Sequence, residues 1–181
     1  MRPVSSIVAG SPLAVRVLRR TPPRWLRALP DRVSVPLVAA RRHERANVED
    51  VVLLEGPGVL TTSAYWLTTR GDEGPAASVF YGCEEILRVD VLATAPHVHY
   101  GFNRHRGSDG GEGRVYLPPV VGGDAAARVH HELAHNLPVC LGSHPRRAVR
   151  QMRIDQSEAE AVAGRAARHL DALVATRVAR A

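Results

Sequence analysis

The chain has 181 residues, with 24 basic side chains against 18 acidic ones, and every basic one is arginine. That length allows one domain with a sizeable core, plus an arm. No apolar run approaches the ~18 residues of a membrane span, and two isolated cysteines, Cys83 and Cys140, argue against a disulfide framework or a zinc ribbon.

The arginine excess accompanies an abundance of Ala, Gly, Val and Pro, the bias of a GC-rich genome, and so does not by itself announce a nucleic-acid partner. Its placement says more. Residues 1–45 hold 10 Arg against Asp31 and Glu44, a net +8, whereas the remainder has 14 Arg against 16 acids, a net −2. A folded domain that grips phosphate backbones carries the positive charge itself. Nucleic acid is therefore expected at the arm alone, if anywhere. Met1-Arg2 leads into no continuous apolar run, so a secretory signal is not expected and the expected compartment is the cytoplasm.

In chain order, residues 1–47 read as a basic, poorly ordered arm, because Pro22, Pro23, Pro30 and Pro36 leave room only for short pieces. Residues 48–180 read as one α+β domain. Its first part is a series of short β-like runs separated by turn residues: Val51–Glu55, Val59–Thr69, Ala77–Tyr81, Ile86–Leu92, His97–Phe102 and Arg114–Leu117. Polar loops are expected at 70–75 and 103–113. Connections this short favour an antiparallel meander of five to six strands. In the second run Trp66 and Leu67 lie on opposite faces, so one is expected to be buried and the other less so.

Three helices are expected next, packed on the sheet face that takes Leu87, Val89 and Val91. Asp124 is a natural N-cap for the first, and Pro138 marks its end or a kink. The second is expected to open at Pro145 and bury Ala148, Val149 and Met152. The third runs from about Ser157 to Ala179, with Val162, Ala166, Leu170, Leu173 and Val174 as its apolar stripe, and Gly164 within it suggests close helix approach.

The first helix carries His131-Glu132-Leu133-Ala134-His135, an H-E-x-x-H. Imidazoles at i and i+4 point the same way and can hold one zinc ion, with Glu132 as general base toward a metal-bound water. The segment resembles the active-site helix of zinc metallopeptidases. In that resemblance a third ligand comes from a later helix, with Glu158 the better candidate and Glu160 the other. Both also fit capping boxes, Asp155-x-x-Glu158 and Ser157-x-x-Glu160, which explain an acid there without any metal. There is no third motif histidine: where the metzincin pattern has glycine after H-E-x-x-H-x-x this chain has Pro138, and no histidine follows it in register. A second constellation lies in the sheet: His97 and His99 share a strand face, and with Asp90 and Tyr100 they outline a candidate polar pocket or a set of metal donors.

The pieces Arg88-Val89-Asp90, Pro96-His97-Val98-His99-Tyr100 and Asn136-Leu137-Pro138 also resemble a bacterial domain family found mainly in high-GC actinobacteria, over about residues 50–175. That resemblance implies the α+β layout, no particular activity, and a helix that does not depend on a metal motif. The reading carried forward is a ligand- or partner-binding α+β domain. A zinc-dependent hydrolase using His131, Glu132, His135 and Glu158 is the alternative, and nucleic-acid tethering by the arm the second.

Overall fold

The computed structural model describes residues 47–55, 60–69, 71–81, 84–101, 114–119 and 124–179. The expected arm, the expected turn residues at 56–58 and 82–83, and the expected loop at 103–113 lie outside the described residues. Six strands follow one another in space as they do in sequence: β1 (Asn47–Glu55), β2 (Leu60–Thr69), β3 (Asp72–Tyr81), β4 (Glu84–Asp90), β5 (His97–Tyr100) and β6 (Arg114–Tyr116). Every neighbouring pair is antiparallel, so the α+β meander followed by helices is the observed architecture.

β3 begins earlier than its sequence suggests. Thr69 pairs directly with Asp72, and Gly71 at φ 83° supplies the left-handed turn residue that a side chain would resist. The stretch Asp72–Pro75, which reads as a polar loop, is therefore part of the ladder. Gly-Pro normally signals a break. Here Pro75 sits near the end of the β3–β4 pairing, where its carbonyl still accepts from Val91 N at 2.9 Å.

The helices are α1 (Ala125–Ser143), α2 (Arg147–Gln151) and α3 (Gln156–Val178). Asp124 caps α1 by accepting from Ala127 N at 2.7 Å. The helix does not end at Pro138; it runs five residues further, because Cys140 and Leu141 are buried on the same core stripe as Leu133 and Leu137. Burial of that last turn outweighs the hydrogen bond that the proline omits. Asp155 opens α3 with a full capping box, its carboxylate accepting from Glu158 N at 2.8 Å while Glu158 Oε2 accepts from Asp155 N at 3.0 Å. In α2, Val149 is buried, Met152 half-buried and Ala148 exposed; Pro145 precedes the helix, whose N-cap is Arg146.

α1 lies over β3 and β4, α3 lies over β1 to β3, and the two helices pack along each other. The core joins Leu60, Ala64, Val79, Leu87, Val89 and Val98 from one sheet face to Val129, Leu133, Leu137, Val162, Ala166 and Leu170 from the helices. This is the face that Leu87, Val89 and Val91 occupy. Trp66 and Leu67 are both half-buried. The Trp66 indole donates to Glu73 at 3.0 Å and lies under the Arg177 guanidinium, 4.7 Å from its ring centre. Among the described residues no helix is long and apolar enough to cross a membrane.

The opposite sheet face is also buried where its strands are central. Ser63, Tyr65, Ala76, Ser78 and Phe80 all lie there with little or no exposure, and Tyr65 Oη is 2.9 Å from Ser78 Oγ. Two-sided burial explains why β2 and β3 lack a clean alternation in sequence.

Gly164 does not mark a close helix approach. A Cβ there would meet only the far end of the Arg168 side chain, at 3.4 Å. Gly164→Ala should accordingly stabilise the protein by about 0.5–1 kcal/mol through the entropy of the unfolded chain and helix propensity. Urea unfolding measures it, and an unchanged or lower midpoint would show that the site is tighter than described.

Candidate metal centre

The register of β4 against β5 assembles a charged cluster on the reverse face of the sheet. Asp90 stands directly opposite His97, and Arg88 directly opposite His99. Residues two apart on a strand share a face, so all four side chains meet. Asp90, His97 and His99 are each buried. Asp90 Oδ2 lies 3.2 Å from His97 Nε2, 3.4 Å from His99 Nε2 and 3.1 Å from Arg88 Nε. One ligand atom from each of Asp90, His97 and His99 falls within 4.8 Å of the other two.

The orientation of His97 is fixed from behind. Its Nδ1 donates to the Ala95 carbonyl at 2.8 Å, which leaves Nε2 as the atom that faces Asp90. Ala95 is itself held: the Asp72 carboxylate accepts from Ala95 N at 3.1 Å, Thr94 N at 3.2 Å and Thr94 Oγ1 at 2.6 Å. Burial works against charge on Asp72, but these hydrogen bonds outweigh it and hold the carboxyl below its ordinary range. Asp72 thus clamps the β4–β5 connection immediately before His97. Nothing in the sequence marks this aspartate, because its partners lie 22 and 23 residues away.

His99 Nε2 lies against both Asp90 Oδ2 and an Arg88 guanidinium nitrogen. It can donate to the first or accept from the second. Arginine only donates, and burial, reinforced by the Arg88 charge, holds the His99 pKa below its ordinary value despite the opposing carboxylate. The neutral ring with its Nε2 lone pair toward Arg88 is the consistent assignment. For Asp90, burial pushes the carboxyl up, but the hydrogen bond with His97 and the Arg88 charge prevail, and the net shift is far downward. Its other oxygen, Oδ1, is buried with no hydrogen-bond partner among the described residues.

Tyr100 does not belong to this pocket. It lies one residue beyond His99, hence on the helix side of the sheet, where its hydroxyl donates to Glu132 Oε2 at 3.4 Å. Glu132 is buried and also accepts from Asn136 Nδ2 at 2.7 Å. The H-E-x-x-H residues therefore part company. His131 and His135 are exposed, their ring centres 4.6 Å apart, whereas Glu132 is turned about 100° around the helix toward the sheet. Glu158 is exposed and engaged in the α3 capping box. Glu160 pairs with His130 at 3.2 Å, and His144 is buried at the C-cap of α1, where Nδ1 accepts from Arg146 N at 3.2 Å. Among the described residues the structure does not bring a third donor to His131 and His135.

The Glu132 neighbourhood has its own signature. Burial, then the Glu132 charge, pushes the Cys140 thiol up to about 12 and the Tyr100 hydroxyl up to about 12. Both native values are raised above the ordinary 9.0 and 10.0. Their contribution to stability is complete below those ordinary values and is lost as pH rises through the native ones. Unfolding free energy should therefore fall from about pH 9 towards about pH 12, with a smaller fall in Cys140→Ala. Equal slopes for both proteins would remove Cys140 as a source.

Comparison with protein families, with curated proteins and with solved structures returned no match to the chain.

Proposed function

We infer that the protein is a ligand-binding α+β domain whose ligand is a divalent transition-metal ion held by Asp90, His97 and His99. One observation carries this reading. His97 gives its Nδ1 proton to the Ala95 carbonyl, which turns Nε2 toward a carboxylate oxygen 3.2 Å away. Two lone pairs so placed repel unless a cation lies between them, either a second proton or a metal. Backbone-anchored imidazoles of this kind are the usual outer support of metal sites.

The spacing supports the metal. A tetrahedral ion with bonds of ~2.0–2.1 Å has donor–donor edges of about 3.4 Å, and the Asp90–His97 and Asp90–His99 separations are 3.2 and 3.4 Å. Two imidazoles and a carboxylate without a thiolate suit Zn, Fe, Co or Ni rather than Ca or Cu(I). Arg88 lies against Asp90 Oδ2 and His99 Nε2, so an ion held by these donors would take the place of the guanidinium there.

Calorimetric titration of metal-stripped protein with zinc should give one equivalent. His97→Gln, which keeps the side chain polar, should weaken binding by more than about 100-fold, beyond the 10–100-fold typical of losing an outer partner. Circular dichroism confirms that the variant is folded. No uptake by the folded wild type, or equal uptake by the folded variant, contradicts the assignment.

A further inference from the structure

The reverse face of the sheet holds two large rings, Tyr65 and Phe80, that are only 3 % and 1 % exposed. Neither belongs to the core between sheet and helices, because α1 and α3 both pack on the other face and α2 packs on α1. The side chains around them on β2 and β3 are small. Ala76 stands opposite Tyr65, Thr61 opposite Phe80, and Ser63 and Ser78 lie between the rings. Side chains stand roughly perpendicular to a sheet, so neighbours of that size cannot bury both rings. Tyr116, on the same face of the edge strand β6, shows what an uncovered ring looks like at 64 % exposed.

The burial is that of a single chain, so the cover belongs to the chain and comes from outside the described residues. Only two such stretches exceed four residues, 1–46 and 102–113. The second carries one apolar side chain, Phe102, among glycines and charges, and both its ends are fixed at β5 and β6. The first supplies Trp25, Leu26, Leu29, Val33, Val35 and Leu37, and it enters the sheet at β1, beside β2. From β1 to β5 is four strand spacings, roughly 19 Å, a distance that about six extended residues span. We propose that residues within 1–46 dock across the reverse face, burying Tyr65 and Phe80 and closing over the Asp90, His97 and His99 cluster. The docking surface is then part of the fold, and the proposal stands whether or not the cluster holds a metal.

Two measurements on the full chain test this. Hydroxyl-radical footprinting of the wild type should modify Tyr65 at least about tenfold more slowly than Tyr116, in keeping with exposures of 3 % and 64 %. p-Azidophenylalanine in place of Phe80, in protein shown by circular dichroism to be folded, should on illumination crosslink to a residue within 1–46 of the same chain. The same replacement at Tyr65 serves if the Phe80 variant does not fold. Equal modification of the two tyrosines would show a bare face and overturn the proposal. A crosslink to residues 102–113, a crosslink to a second copy of the chain, or none to residues 1–46 would overturn it as well.

Discussion

Replacing Asp90 by alanine should destabilise the metal-free protein by about 3–5 kcal/mol, the usual cost of stripping one partner from a buried ion pair. The carboxylate is the hub of the cluster, since Oδ2 lies within 3.1–3.4 Å of Arg88, His97 and His99. Without it the Arg88 charge stands against a buried sheet face, and His97 faces an apolar gap. Domains of this size hold roughly 5–15 kcal/mol in all, so the loss is a large fraction of the total. Asp90→Asn keeps the shape and one acceptor oxygen and should cost less. Urea unfolding of both variants measures the difference. A loss below about 1 kcal/mol for Asp90→Ala would show that the charges do not depend on this carboxylate.

A second large effect is expected at Gly74. A Cβ on that residue would run into Val91 O and lie 2.9 Å from Val91 C, where something must shift. The obstructing atoms are backbone, and they are tied in place on both sides by Val91 N to Pro75 O at 2.9 Å and Ala93 N to Glu73 O at 3.1 Å. Gly74→Ala should therefore cost about 3 kcal/mol, the upper part of the usual overpacking range. It should also weaken zinc binding, because the displaced segment leads through Thr94 and Ala95 into His97. Gly142, which has nothing within 4 Å of its Cβ position, is the control, and its alanine variant should be at least as stable as the wild type. Equal behaviour of the two variants would mean that the crossing at Gly74 is not tight.

These effects turn on features that the sequence displays unevenly. The meander was legible because β-branched and aromatic runs alternate with turn residues, and short connections leave few other topologies. The third helix was legible from its stripe and its capping box. Pro75 and Pro138 misdirected the boundaries for one physical reason: the rule that proline ends an element concerns its own missing N–H, whereas β3 and α1 continue because of what their later residues pair with or bury. Register is the larger gap. That His97 and His99 share a face follows from period two, but that Asp90 faces His97 and Arg88 faces His99 depends on where the β4–β5 connection closes, and Asp72 sets that from another strand. Tyr100 was separable in principle, because one step from His99 inverts the face. In the H-E-x-x-H segment the spacing showed that the two imidazoles are neighbours. It did not show that Glu132 turns to Tyr100 and Asn136, nor that the Glu158 carboxylate is engaged with its own N-cap.

The central claim, that the histidines of the sheet and not those of the helix hold a metal, is tested most directly by equilibrium dialysis of two double variants against zinc. His131→Ala/His135→Ala should retain one tightly bound equivalent, since neither imidazole touches the reverse face. His97→Gln/His99→Gln, folded by circular dichroism, should retain none. The opposite pattern, with zinc lost from the helix variant and kept by the sheet variant, would contradict the account.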